Sequence, residues 1–141
     1  KNRRRMVSLL LLLGPVDNTM RTTRVLARRA QVLVEDQDEV APEQVELIAK
    51  LADITQRLAE VYLEESDDAA DTIGELTHEL RELGPKTPES LAKGRVFSAY
   101  SILAQTRSLI VDLLMVCGHN QHSARAVLAP TSDTPAVPPE N

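Results

Sequence analysis

The sequence predicts an all-α protein folded as an antiparallel up-down-up bundle of three long helices. Three observations lead there. Apolar residues recur at helical spacing through three long segments, the breaks between them are short and rich in turn residues, and no stretch alternates in the manner of a strand. Hydrophobic residues make up 43% of the chain but aromatics only 2%, so the apolar content is nearly all Leu, Val, Ile and Ala, which suits helix packing. With 141 residues the chain can bury one core.

The opening, KNRRRMVSLLLLLGPVDN, has three readings: a secretion signal, a membrane helix, or the first turns of a bundle. A signal peptide needs a small-residue cleavage pattern, and Gly14, Pro15, Val16, Asp17 and Asn18 offer none. A membrane span needs about 20 apolar residues, and Met6 to Leu13 are too few. Lys1 at the start suggests a piece of a longer chain. Arginines just beyond an upstream span would fit the positive-inside rule and place the residues after them at the cytoplasmic face of the membrane. Residues 1–16 are therefore read as a juxtamembrane segment, with the leucines touching the bundle core. Pro15 is expected to end or kink a helix there.

The bundle proper is read as 17–118. From an Asp17 cap, the first helix runs to about Asp36, with Leu26, Ala30, Leu33 and Val34 on one side and an arginine stripe, Arg21, Arg24 and Arg28, on the other. EDQDEVAP is a tight connection. From Leu47 to Leu83 the apolar positions hold one phase across EESDDAAD, predicting one bent helix over 43–83, or two if it breaks near 66–68. Gly84-Pro85 stops it, and Pro88 opens a last helix to Cys117. That helix ends in LIVDLLMV, apolar all round except for Asp112, so it must be covered on every side. Residues 119–141 are read as a polar, proline-rich disordered tail.

Charge divides along the chain. Residues 1–30 hold 8 basic residues against Asp17 alone, whereas the rest holds 8 basic and 20 acidic residues. Either the two ends neutralise each other within one fold, or the basic end faces anionic lipid headgroups. An acidic body disfavours nucleic acid, and the few aromatics give no stacking platform for bases.

No motif for catalysis or nucleotide binding is present. Cys117, His119 and His122 form a C-x-H-x-x-H order with no fourth ligand, which reads better as an unstructured polar segment than as a metal site. The acidic patch Glu64, Glu65, Asp67, Asp68 and Asp71 departs from the calcium-loop pattern and reads as solvated. The lone Cys117 excludes an internal disulfide. His78 faces outward. Arg107 falls on the apolar side of the last helix, where it either snorkels or meets a buried carboxylate. Asp112 sits at a subunit seam, pairs with an arginine of the first helix, or meets solvent through a gap.

Two stretches, LGPVDNTMRTTRVLARRA and ILAQTRSLIVDLLMVCG, resemble the cytoplasmic C-terminal region of actinobacterial membrane proteins of the fusaric acid resistance (FUSC) or aromatic acid exporter type. Pro15, Asp17, Arg21, Arg24, Val25 and Leu26 match its Pro-x-Asp turn and Arg-x-x-Arg-Val-Leu; Arg107, Ser108, Asp112, Leu113 and Leu114 match its Arg-Ser and Asp-Leu-Leu. The resemblance covers about 35 residues and leaves 35–90 unmatched. It implies a noncatalytic helical domain without cofactor or metal, serving assembly, regulation or partner docking. Its expected partners are the protein's own upstream transmembrane region, anionic lipid headgroups or a second copy. The alternative is a free-standing adaptor that takes a partner helix on an exposed apolar surface at 109–116. The interaction candidates are Arg21, Arg24, Arg28, Arg107, Asp112, Leu113 and Leu114.

Overall fold

The computed structural model describes residues 2–64 and 67–130, with the side chains of Asn2, Arg5 and Ser8 left aside. Lys1, Glu65 of the acidic patch, Ser66 at the expected break, and 131–141 of the expected tail lie outside the described residues. Among those described, all regular structure is helical: α1 (Asn2–Glu35), α2 (Pro42–Leu63), α3 (Ala69–Leu83), α4 (Phe97–Val116) and α5 (Gln121–Arg125), with 3-10 turns at Gly84–Lys86 and Glu89–Ala92.

Named contacts fix the directions of the helices. Thr22 of α1 meets Asp112 of α4, while Arg95, ahead of α4, reaches back to the Glu39 carbonyl beyond the end of α1, so these two run in opposite senses. Gln44 bonds the Ala99 carbonyl and the Tyr62 hydroxyl bonds the Val116 carbonyl at 2.8 Å, so α2 runs alongside α4 in the same sense. Arg57 on α2 meets Glu79 on α3, with Lys50 near Leu83 at one end and Glu60 near Thr72 at the other, so α3 returns antiparallel to α2. The central helix is α4, whose Leu109, Ile110, Leu113 and Leu114 are buried with Leu26, Leu51, Leu76 and Leu80.

The expected single helix over 43–83 is two helices, α2 and α3. At 1.5 Å per residue a continuous helix would be about 60 Å long, about twice the length of α4, and half its leucines would lack a partner. Folding back brings Leu51, Ile54 and Leu58 of α2 and Leu76, Leu80 and Leu83 of α3 into one core. The acidic cluster places like charges one turn apart, which disfavours continuing the helix through it. The shared phase arises because both helices of the hairpin bury their stripes in the same core.

Three other expectations change. Of the two outcomes expected at Pro15, an end is excluded, because α1 continues through it: the hydrogen bond lost is to Leu11, an exposed residue, while the Thr19 hydroxyl donates to the Pro15 carbonyl at 2.8 Å. Asp17 is accordingly mid-helix and pairs with Arg21 rather than capping. The last helix begins at Phe97, not Pro88, because Gly94 takes a positive φ of 77° that ends the preceding 3-10 turn. The first part of the expected tail is folded: Asn120 caps α5 by accepting from the Ser123 amide at 2.8 Å, and Ala124 and Ala129 are buried.

Candidate functional site

Two surfaces bring the sequence candidates together or leave them apart. The first is α1. Its inner stripe, Thr19, Leu26 and Leu33, is buried, and Leu12 packs partly against the core. With Thr22 opposite Asp112, the first turns of α1 run on past the last turn of α4, where the end of α2 is beside them. Met6, Val7, Leu9, Leu10, Leu11 and Leu13 are exposed there, by 46% at Leu9 to 75% at Leu11. At 100° per residue these six span about 200° of the helix surface. The leucine run is thus mostly bare, where core contact was expected. Its one flank with neighbours is an apolar cleft of about 600 Å³, walled by Leu9, Leu13 and Val16, by Leu58, Tyr62 and Leu63, and by Leu113 and Val116. Burial pushes the Tyr62 hydroxyl pKa up.

Farther along α1, Arg21, Arg24 and Arg28 are exposed, as are Arg3, Arg4 and Arg29. Arg21 pairs with Asp17; Arg24 and Arg28 form no ion pair among the described residues. By helical geometry Met6, Leu10 and Leu13 share one outward stripe with Arg3, Arg21, Arg24 and Arg28, directed away from Leu26 and Leu33.

The second surface is the outer side of α4. Arg107 is partly buried and, among the described residues, is held by carbonyl oxygens rather than by a buried carboxylate. One guanidinium nitrogen donates to the Thr87 carbonyl at 2.7 Å, the other to the Ala129 carbonyl at 2.6 Å, with the Thr87 hydroxyl at 3.3 Å. The fork therefore ties the turn before α4 to the segment after α5. Partial burial lowers the Arg107 pKa, and the nearby Glu89 charge opposes that. The Ala129 amide donates to the Gly84 carbonyl, and Val127 lies so close to Gly84 that a Cβ there would come within 2.4 Å of its side chain.

Asp112 is half-buried in the seam between α1 and α4, where the Thr22 hydroxyl donates to it at 2.6 Å. The partner on α1 is thus a threonine, not an arginine. Burial raises the carboxyl's pKa, and the Thr22 hydrogen bond pulls it down by less. Arg107 and Asp112 line one groove of about 780 Å³, together with Phe97, Tyr100, Arg125 and Leu128. Phe97 is 74% exposed at its rim.

The chain is 51% identical over 140 residues to an uncharacterized protein of Corynebacterium glutamicum, a match that takes in 99% of this chain. The chain spans 36% of the length of that relative. No family model and no solved structure matches it.

Leu113 and Leu114 are core residues, each 1% exposed, and Leu109, Ile110, Val111 and Val116 are buried with them. The surface at 109–116 that the adaptor reading required is therefore inside the bundle. Cys117 is half-buried beside Thr77, and burial pushes its thiol pKa up, whereas His122 is exposed. The outward His78 lies against Glu82 at 3.1 Å. Two features escaped the sequence reading. The α5 strap was legible in Asn120-x-x-Ser123, a capping pattern followed by the apolar AVLA. The anchoring of Arg107 on distant carbonyls has no local signature.

Proposed function

We propose that this chain is a noncatalytic helical domain of a longer exporter-like membrane protein, on the cytoplasmic side, serving assembly and docking. One observation carries the reading: the first turns of α1 are bare and apolar over more than half of the helix circumference, behind Arg3 and Arg4. A bare apolar face that wide needs cover. In a membrane protein that cover is the membrane part or the bilayer edge, and the arginines would stand at the cytoplasmic boundary.

Two further facts support it. Among the described residues one helix, Phe97–Val116, is long and apolar enough to cross a membrane, but 56% of its apolar window is buried inside this bundle. Its composition is accounted for by its central position, so spanning segments would come from elsewhere in the parent. The relative's greater length leaves room for them. The resemblance of residues 13–30 and 102–118 to the fusaric acid resistance type gives this parent its exporter-like character; the transported substrate belongs to the membrane part.

The test is fractionation of the complete reading frame. The full-length product is expected to remain in carbonate-washed membranes, with residues 17–118 reached by protease only in inside-out vesicles. A full-length product found in the soluble fraction would overturn the reading and favour a free-standing module.

A further inference from the structure

We infer that the outward stripe of α1 is a docking surface for an anionic phospholipid bilayer, an inference that rests on the reading above in expecting a bilayer close by. The stripe is built in two parts along one side of one helix. Met6, Leu10 and Leu13 give bare apolar side chains, and Arg21, Arg24 and Arg28 follow with exposed guanidinium groups, with Arg3 at the far end. A helix of this kind lies in the interfacial plane, its apolar residues reaching the acyl boundary while basic residues hold anionic headgroups.

Charge complementarity selects this occupant. On α1 the acidic residues are Asp17 and Glu35, and Asp17 is already paired with Arg21. Of the other acidic residues, Asp36, Asp38 and Glu39 follow the far end of α1, whereas Glu43, Glu46, Asp53 and Glu60 are exposed on α2, and Asp71, Glu75 and Glu82 on α3. An anionic surface would attract one helix and repel the other two, which orients the bundle with α1 down. Pairing with the α1 of a second copy would set arginine stripes near one another, and docking on a second copy's acidic helices would leave the leucines bare. A nucleic acid would satisfy the arginines and offer the leucines nothing. A bilayer offers headgroup anions and an apolar interior within a few ångströms of each other.

The test is co-sedimentation of the 141-residue chain with vesicles of phosphatidylcholine containing about a quarter phosphatidylglycerol, and with phosphatidylcholine alone. Binding is expected to the anionic vesicles and to fall with added salt. Replacing Arg21, Arg24 and Arg28 with Gln should weaken it on the order of a hundredfold, from about fivefold per arginine. The pair Leu10→Ser and Leu13→Ser should weaken it about tenfold or more. Both sets lie on exposed positions, Leu13 at 61% on the edge of the cleft, so the helical circular dichroism signal should hold. Three results would overturn the inference: no binding to anionic vesicles, equal binding to neutral ones, or a dimer in solution that the leucine pair dissociates while vesicles leave it intact. No upstream sequence enters this assay, so it can fail while the membrane parentage stands. Equally, a soluble full-length product would remove the parentage without touching a positive vesicle result.

Discussion

Arg107→Ala should destabilise this bundle far more than Arg57→Ala, although both arginines carry short contacts. Arg107 donates to the carbonyls of Thr87 and Ala129 at 2.7 and 2.6 Å, and Thr87 is fully buried. A hydrogen bond from a charged donor contributes about 1.5–3 kcal/mol, and a buried carbonyl left without a partner adds a desolvation penalty. Because Arg107 itself is only partly buried, water replaces some of what is lost, and about 3 kcal/mol is a reasonable net figure. For a domain of this size that lowers Tm by about 10 °C. Arg57 reaches Glu79 at 2.8 Å and Asp53 at 3.4 Å, but its side chain is 35% exposed. Exposed pairs contribute about 0.2–1 kcal/mol, or at most about 4 °C here. Thermal melts by circular dichroism compare the two variants, and hydrogen exchange adds a local readout. The Ala129 amide, bonded to the Gly84 carbonyl, should lose protection in Arg107→Ala and keep it in Arg57→Ala. Arg107→Lys should fall between, since a point charge cannot hold two carbonyls in a fixed fork. Equal drops in Tm, or an Ala129 amide unchanged by losing Arg107, would refute the reasoning.

Four further outcomes are expected. Asp112 has a raised folded pKa, so the folded state holds the proton more tightly than the unfolded chain; the stability this lends is present at low pH and lost as pH rises from the ordinary carboxylate range through the raised value. Asp112→Asn, which can still accept from Thr22, should therefore raise Tm at neutral pH, with the gain shrinking as the buffer is acidified. Gly84→Ala would drive a Cβ to 2.4 Å from the Val127 side chain and 2.5 Å from its carbonyl, so a loss of about 1–3 kcal/mol and faster exchange at 127–129 should result. Gln44 is fully buried, with its side-chain oxygen unpartnered and its nitrogen 3.3 Å from the Ala99 carbonyl; Gln44→Leu should leave urea midpoints level or raise them by up to about 1 kcal/mol equivalent. Arg24→Glu would replace a like-charged neighbour of Arg28 with an opposite one at i, i+4, raising stability by about 0.5 kcal/mol in low salt while weakening anionic vesicle binding.

The helical class was legible because the apolar period is visible within each segment, and the all-round apolarity of LIVDLLMV correctly marked the most enclosed stretch of α4. The break inside 43–83 was hidden by the same period: two short helices facing one core keep the phase that a single helix would keep. The stop at Gly94 is less legible, because a single glycine inside an apolar-periodic segment is tolerated in helices, and its positive φ is a property of the folded backbone. Among the site candidates, the exposure of Arg21, Arg24 and Arg28 followed from their wheel position. Arg107 and Asp112 are legible as charges on an apolar helix, but their partners, the Thr87 and Ala129 carbonyls and the Thr22 hydroxyl, depend on tertiary packing. Leu113 and Leu114 sit at the centre of the core because α1, α2 and α3 all surround α4.

The outer face of α1 is not explained by the needs of the bundle. The solvent side of α2 is laid out as a stable exposed helix would be, with Glu46 against Lys50 and Asp53 against Arg57 one turn apart. On α3 the exposed His78 lies against Glu82 in the same register. After Asp17 and Arg21, α1 abandons that arrangement: Arg21, Arg24 and Arg28 are neighbours at i, i+3 and i, i+4, where like charges work against the helix. Its first turns are just as unfavourable in water, since about 25 cal/mol per Å² of apolar surface is left unrealised while the leucines stay exposed. A helix that is apolar at one end and carries Arg21, Arg24 and Arg28 on successive turns of its outer stripe is poorly matched to solvent in both respects. Both mismatches are relieved together by a surface that is anionic at its face and apolar just beneath, and only weakly by any arrangement of the bundle's own remaining surface.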